Sequence, residues 1–372
     1  MRIVKHALPT LSAGTSREIA SYHFGSCSQG KKVYIQSSLH ADEIPGMLVS
    51  HYLRQSFSAL EQAGAIAGEI VLVPVANPIG LAQDIQGSAF GRFDMATGIN
   101  FNRGYQYLTP ALKQRLLGKL GPDLSANTTL VREHALALLA EWQPGSEAAA
   151  LKKTLQTLAI DADIVLDLHC DNQAVMHLYT GTPLAEATMP LVRYLGGRAL
   201  LLSVLSGDDP FDESCSRHWW ELAEAFGVAT PIPLGCQSVT IELRGESDVA
   251  HDYAQQDAHA IVQFLVQAGH IQAAAEPMPE ALCQPTPLEG SEPIIAAHAG
   301  ILAFTKNVGD AIIAGESIGD LIDPISGQVT PMISHVTGIL YARVARRYAQ
   351  HSMRVAKVAG AISYRSGNLL SM

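Results

Sequence analysis

The feature that most constrains this chain is a set of four short, nearly continuous apolar runs rich in β-branched residues. They are VYIQS at 33–37, EIVLVP at 69–74, IVLDL at 164–168 and SVTIEL at 238–243. Runs of this kind fit strands buried on both faces of a sheet, where neither face is left for water. Helical patterns lie between them. Residues 45–60 carry Met47, Leu48, Tyr52 and Leu53 close to helical spacing, and 130–142 and 257–268 read similarly. Strands alternating with helices imply an α/β fold, a mixed, largely parallel sheet with helices on both faces. In such sheets sites form outside the carboxyl ends of the strands. Chemistry is therefore expected where each run ends.

The 372 residues exceed one average domain and suggest two. After Gly269 the composition shifts, and 272–287 is rich in Ala, Pro and Glu, as a linker would be. Beyond it come short strand-like pieces punctuated by glycine, with no periodic segment of helix length. The expected division is an α/β domain over 1–271, a linker over 272–287 and a small all-β domain over 288–372.

With 48% hydrophobic and 16% charged residues, the chain has the composition of a well-cored globular protein. A net charge of −10 argues against nucleic acid or an anionic membrane as partner, since either favours a basic face. The cysteines at 27, 170, 215, 236 and 283 form no CxxC pair and are odd in number, which fits free thiols in a reducing compartment. The start, MRIVKHALPT, lacks the apolar core of a signal peptide. No apolar run reaches the roughly eighteen residues that a membrane span needs. A cytoplasmic protein is expected, and a homo-oligomer is compatible with this reading.

Three strand ends carry candidate chemistry. His40 and Glu43, in SSLHADEIPG, follow the first run and lead into a helix. Three apart across that turn, an imidazole and a carboxylate can converge on one ion. HxxE alone is common, however, and equally describes a polar turn with a glutamate in a favourable first helical turn. His169 ends the third run with Asp167 and Asp171 around it. An imidazole flanked by carboxylates suits a metal ligand whose tautomer is fixed by a partner, although a strand end facing water is the blander alternative. Two histidines and one carboxylate, with a fourth position left open, make the donor set of a catalytic zinc site. Glu242 lies inside the fourth run, where an ionised carboxylate is costly unless paired or functional. With a raised pKa it could serve as general base. Arg244 points to the same strand face, so a structural ion pair competes with that role. Lastly, Asn102 and Arg103 sit in the aperiodic stretch GINFNRG, where the guanidinium offers a planar fork matched to a carboxylate.

In this order the motifs resemble the succinylglutamate desuccinylase/aspartoacylase family, a branch of the zinc carboxypeptidase superfamily. The similarity spans roughly 30–270 and rests on HxxE, Asn-Arg, Asp-Leu-His and a strand glutamate, here His40 with Glu43, Asn102-Arg103, Asp167-Leu168-His169 and Glu242. Asn77-Pro78 also looks like the family's Asn-Pro after the second run. The resemblance implies one zinc per chain, held by His40, Glu43 and His169, and attack of activated water on an amide carbonyl. It further implies a carboxylate-binding role for Arg103 and an oxyanion-stabilising role for Arg92. Two departures stand out. DMATGI at 94–99 lengthens the spacing after Arg92, and Asn100-Phe replaces the commoner Asp-Leu before Asn102.

The C-terminal stretch looks like half of a biotinyl/lipoyl-type barrel, but its candidate tip, DPISGQ at 323–328, has no lysine to carry a group. It is expected to be structural or to gate the site. The leading functional expectation is hydrolysis of a small N-acyl amino acid or related amide. A metallocarboxypeptidase acting on peptide C-termini, an esterase, and a non-catalytic zinc or ligand-binding protein are the alternatives. Presence of Glu242 favours catalysis over mere binding.

Overall fold

The computed structural model describes residues 1–10, 12–26, 30–365 and 369. Among them, the four apolar runs become the strands Lys32–Ser37, Glu69–Val73, Ile164–Asp171 and Gln237–Gly245 of a nine-stranded sheet. Lys32–Ser37 lies between Glu69–Val73 and Ile164–Asp171, and Gln237–Gly245 follows, all mutually parallel. The flanks are mixed. Glu18–Gly25 joins Glu69–Val73 antiparallel and carries the edge strand Arg2–Ala7. On the other side His177–Gly181 runs antiparallel to Gln237–Gly245, followed by Ala199–Ser203 and Pro285–Pro287 in parallel.

Successive residues of each central strand serve two separate cores. Tyr34, Val71 and Val165 pack beneath Thr109–Leu116, Leu124–Glu141, Glu147–Ala159 and Phe211–Phe226. Val33, Ile35, Leu72, Leu166 and Ile241 face Pro45–Gln62, Ala185–Leu195 and His251–Gln267. Water reaches neither face, which is why the runs read as almost unbroken apolar sequence. Asp167 and His169 share the parity of Val165, and Glu242 is opposite in parity to Ile241. All three therefore belong to the first face.

Beyond Pro287 the chain forms two antiparallel sheets. One orders Ser291–Ile295, Arg354–Gly360, Gly338–Arg343 and Ala311–Ile312, and the other Val329–Ile333, Ser317–Ile322, Gly300–Phe304 and Tyr348–Ala349. They enclose their own core of Ile294, Leu302, Ile318, Leu321, Leu340 and Val358. The lysine-free tip at 323–328 joins Ser317–Ile322 to Val329–Ile333, paired Ile322 with Val329. Two observations differ from a simple linker and an independent module. Pro285–Pro287, read as the end of the linker, is an edge strand against Ala199–Ser203. Gln173–Ala174, just past His169, pairs with Gly338–Arg343. The β-sheets are thus anchored beside the strand end that carries His169. Cys170, Cys215, Cys236 and Cys283 are free thiols, while Cys27 lies outside the described residues. No described helix is long and apolar enough to cross a membrane.

Candidate active site

Strand Lys32–Ser37 is followed by Ser38, whose left-handed backbone (φ 63°) swings the chain into the 39–44 turn. Neighbours hold that turn. Asn77 Nδ2 donates to Leu39 O at 2.9 Å, and Ala41 N donates to Gly91 O at 3.0 Å. The approach at Gly91 is so close that a Cβ would stand 2.1 Å from Asp42 N, so only glycine fits.

Within this frame His40, Glu43 and His169 come together, buried, with one potential ligand atom from each lying within 4.8 Å of the others. His40 Nδ1 is 3.0 Å from Glu43 Oε1, and His169 Nδ1 is 2.8 Å from Glu43 Oε2. The outer nitrogens are engaged elsewhere. His169 Nε2 meets Asp167 Oδ2 at 2.9 Å, and His40 Nε2 meets Asn100 Oδ1 at 2.8 Å. The backbone N–H of Asn102 also donates to Asn100 Oδ1 at 2.9 Å, which fixes the amide orientation. Both Nε2 atoms can therefore donate outward, and the two Nδ1 atoms facing Glu43 are the ones a shared ion would meet once His169 gives up its second proton. Asp167 is steadied in turn by Gln36 Nε2 at 2.9 Å, and Gln36 by the Tyr34 hydroxyl at 2.8 Å.

The electrostatics describe a site built around positive charge. Burial alone would lower the pKa of His169, yet Asp167 and Glu43 hold it well above the ordinary histidine value. Burial would raise Glu43, but His40 and His169 keep it well below the usual carboxylate range. Burial, with Arg92 alongside, pushes His40 down to about 4, so its ring is neutral. Asp167 and Glu43 both face the His169 ring, and the cluster offers an ion two imidazole nitrogens and a carboxylate. The donor set therefore fits zinc.

Glu242 faces the same cavity, of about 470 Å³, as His40 and His169. Its Oε2 is buried and has no hydrogen-bond partner. The competing ion pair with Arg244 does not form, because Arg244 donates to Asp257 instead. Burial, reinforced by the nearby charge of Glu43, raises Glu242 to about 8.

Arg92 also reaches the cluster despite the longer spacing. Its Nη1 is 3.0 Å from Glu43 Oε1 and 3.2 Å from His40 Nδ1. The inserted 94–99 segment closes on itself, with Gly98 N donating to Asp94 O at 2.7 Å, and Phe93 bridges to Asn100 at its base. The extra residues bulge outward, leaving Arg92 beside the Asn100–Arg103 stretch. Arg103 is buried in the cavity wall. Asn102 Oδ1 accepts from Phe211 N at 2.9 Å, so Asn102 ties this loop to the start of a helix.

Several contacts around the cluster carry no motif. Lys152, buried on Glu147–Ala159, donates to Asn100 O at 3.1 Å and Arg103 O at 2.6 Å, clamping the loop from beneath. Its position among Leu151, Leu155 and Gln156 on a buried helix face was the available signal. From the C-terminal sheets and the segment after them, Tyr341, Arg354, Lys357 and Arg365 line the cavity, with Lys357 paired to Asp171.

Asn100 is the partner that orients His40, and its removal should show in metal binding. Asn100→Ala is expected to weaken zinc affinity about 10–100-fold, by analogy with other outer-shell deletions. Competition with a chromophoric chelator measures this, and unchanged affinity would remove Asn100 from the ligand-positioning role.

A mixed sheet with a His-Glu-His cluster that could hold a metal ion, and a carboxylate oxygen without a partner beside it, has the layout of a hydrolase site. Residues 29–268 match the family model described as the succinylglutamate desuccinylase/aspartoacylase catalytic domain, and the chain belongs to that family of hydrolytic deacylases. Among solved structures it is similar to a succinylglutamate desuccinylase/aspartoacylase family protein from Shewanella amazonensis SB2B. The two share 25% identity over 96% of this chain and 98% of that one, with a TM-score of 0.83. A counterpart from Shewanella frigidimarina NCIMB 400 gives 24% identity, coverage of 96% and 97%, and a TM-score of 0.82. The product-bound ectoine utilization protein EutE (DoeB) from Ruegeria pomeroyi shares the fold at 14% identity, coverage of 96% and 95%, and a TM-score of 0.66. No curated protein matches the chain.

Proposed function

We propose that the protein is a zinc-dependent hydrolase that cleaves the amide bond of a small N-acyl amino acid or related compound. The observation that carries this reading is the partnerless carboxylate of Glu242, aimed into the cavity that holds the three potential metal ligands. A carboxylate oxygen buried with no structural partner is costly and calls for a function. His40, Glu43 and His169 would hold the ion. When bound, zinc supplies Lewis acidity to the carbonyl and to water.

The chain's own groups do the rest. Glu242 takes a proton from the attacking water and returns it to the leaving nitrogen. The Arg103 guanidinium holds the substrate carboxylate, and Asn102 fixes the loop on which it stands. Arg92, beside Glu43, offers its fork to the negative charge that develops on the carbonyl oxygen. The walls contributed by Tyr341, Arg354 and Lys357 favour a compact substrate over a peptide C-terminus.

Incubating the zinc-loaded protein with acetyl, succinyl and aspartyl derivatives of several amino acids tests the reading directly. Release of free amine from at least one is expected, and no turnover across the panel contradicts it.

A further inference from the structure

Arg244 stands two residues beyond Glu242 in Gln237–Gly245, and strand alternation alone would set both side chains on one face. The strand does not alternate here. Glu242 is in register with His169 and Gly245 with Asp171, so Leu243 and Arg244 together oppose the single residue Cys170. This is a β-bulge, and Arg244 holds its left-handed backbone at φ 63°. That conformation suits glycine and is costly for a residue with a Cβ. Strain of this kind persists only where the surroundings impose it.

Arg244 Nη2 donates to the buried Asp257 Oδ2, and the guanidinium lies 4.5 Å from the centre of the Tyr253 ring. Asp257 and Tyr253 both belong to His251–Gln267, the helix on the sheet face opposite Asp167, His169 and Glu242. Leu243 packs in one core with Ala254 and Ala258 of that helix, so two consecutive side chains point to the same face. The backbone beyond is fixed as well, with Gly245 N donating to Asp248 Oδ2 at 2.8 Å and Glu246 N to Asn172 O at 3.2 Å. The bulge has two consequences for Glu242. It carries away the cation that regular alternation would have set beside the carboxylate, whose Oε2 is left without a partner. It also takes up the extra residue locally, where a one-residue slip of the strand would turn Glu242 to the other face.

We propose that Arg244 is a positioning residue for Glu242: tethered to Asp257, it holds the bulge that keeps Glu242 aimed into the cavity and free of a counter-ion. This rests on the hydrolase reading above, in which Glu242 is the general base. The alternative is a purely structural lock between Gln237–Gly245 and His251–Gln267, whose loss would cost stability without touching the chemistry.

Arg244→Gly leaves the left-handed backbone accessible but cuts the tether. With the best substrate of the acetyl, succinyl and aspartyl panel, kcat should fall about 10- to 100-fold, the scale of a misplaced catalytic group. KM and zinc content should stay near wild type. Arg244→Lys, which keeps a cation for Asp257, should lie between wild type and Arg244→Gly. In a Glu242→Gln background, adding Arg244→Gly should leave the residual rate nearly unaltered, because a residue acting through Glu242 then has no base to position. If Arg244→Gly does not fold, the double variant Arg244→Gly/Asp257→Ala, which leaves no unpaired buried carboxylate, carries the same expectation. A lowered Tm with wild-type kcat, or an equal loss in the Glu242→Gln background, overturns the proposal and leaves the hydrolase reading standing. No turnover of the panel by the wild-type protein overturns both.

Discussion

Glu242→Gln is expected to lower kcat by about 10²–10⁴-fold, the usual contribution of a positioned general base, while zinc content and Tm stay close to wild type. The amide keeps the size of the side chain but cannot accept the proton. Because Glu242 Oε2 makes no hydrogen bond, the substitution breaks no partner that the fold depends on. It also relieves a buried acid crowded by the charge of Glu43. Any stability change should therefore be small or favourable, which is the opposite of what a structural ion pair would give. Single-turnover kinetics alongside metal analysis checks both halves. Normal hydrolysis by the variant would make Glu242 structural.

Arg103→Ala is expected to raise KM for carboxylate-bearing substrates far more than it lowers kcat. Truncating one member of a buried, hydrogen-bonded charge pair costs roughly 2–5 kcal/mol, a loss of about 30-fold or more in kcat/KM. The comparison that isolates this is an N-acyl amino acid against its C-terminal carboxamide. Wild-type protein should strongly prefer the acid, and the variant should treat the two nearly alike. An unchanged preference would assign carboxylate recognition elsewhere. Arg103→Lys should recover only part of the loss, since an ammonium cannot reproduce the bidentate fork.

The central sheet was legible because burial on both faces writes itself into sequence as unbroken apolar runs. All four runs became strands of one sheet, three helical stretches became Pro45–Gln62, Leu124–Glu141 and His251–Gln267, and the all-β character of the C-terminal part was equally plain. Phe211–Phe226 was harder to read. Its Asp212, Glu213 and His218 are buried polar residues, so the apolar stripe that marks an ordinary amphipathic helix is interrupted.

In the site, the pieces that a strand end presents directly were readable: His40 with Glu43, His169 with Asp167, and Glu242. What joins them was not, because the joints are long-range. Asn100 lies 60 positions from the histidine it orients, and Lys357 lies 186 positions from Asp171. No local spacing encodes such pairs. The longer gap after Arg92 looked like a break in the pattern, yet the Phe93–Asn100 bridge pinches it off as an outward loop. The entry of the C-terminal sheets into the cavity wall follows from the pairing of Gln173–Ala174 with Gly338–Arg343, a contact that two-residue strands do not announce.

The claim that His40, Glu43 and His169 form a catalytic metal centre is tested most directly by removing and restoring the ion. Protein dialysed against a chelator and then against metal-free buffer should lose hydrolysis, and activity should return in proportion to added zinc, saturating near about one equivalent per chain. Glu43→Gln should abolish that saturation. Full activity in protein shown by elemental analysis to be free of metal would contradict the account.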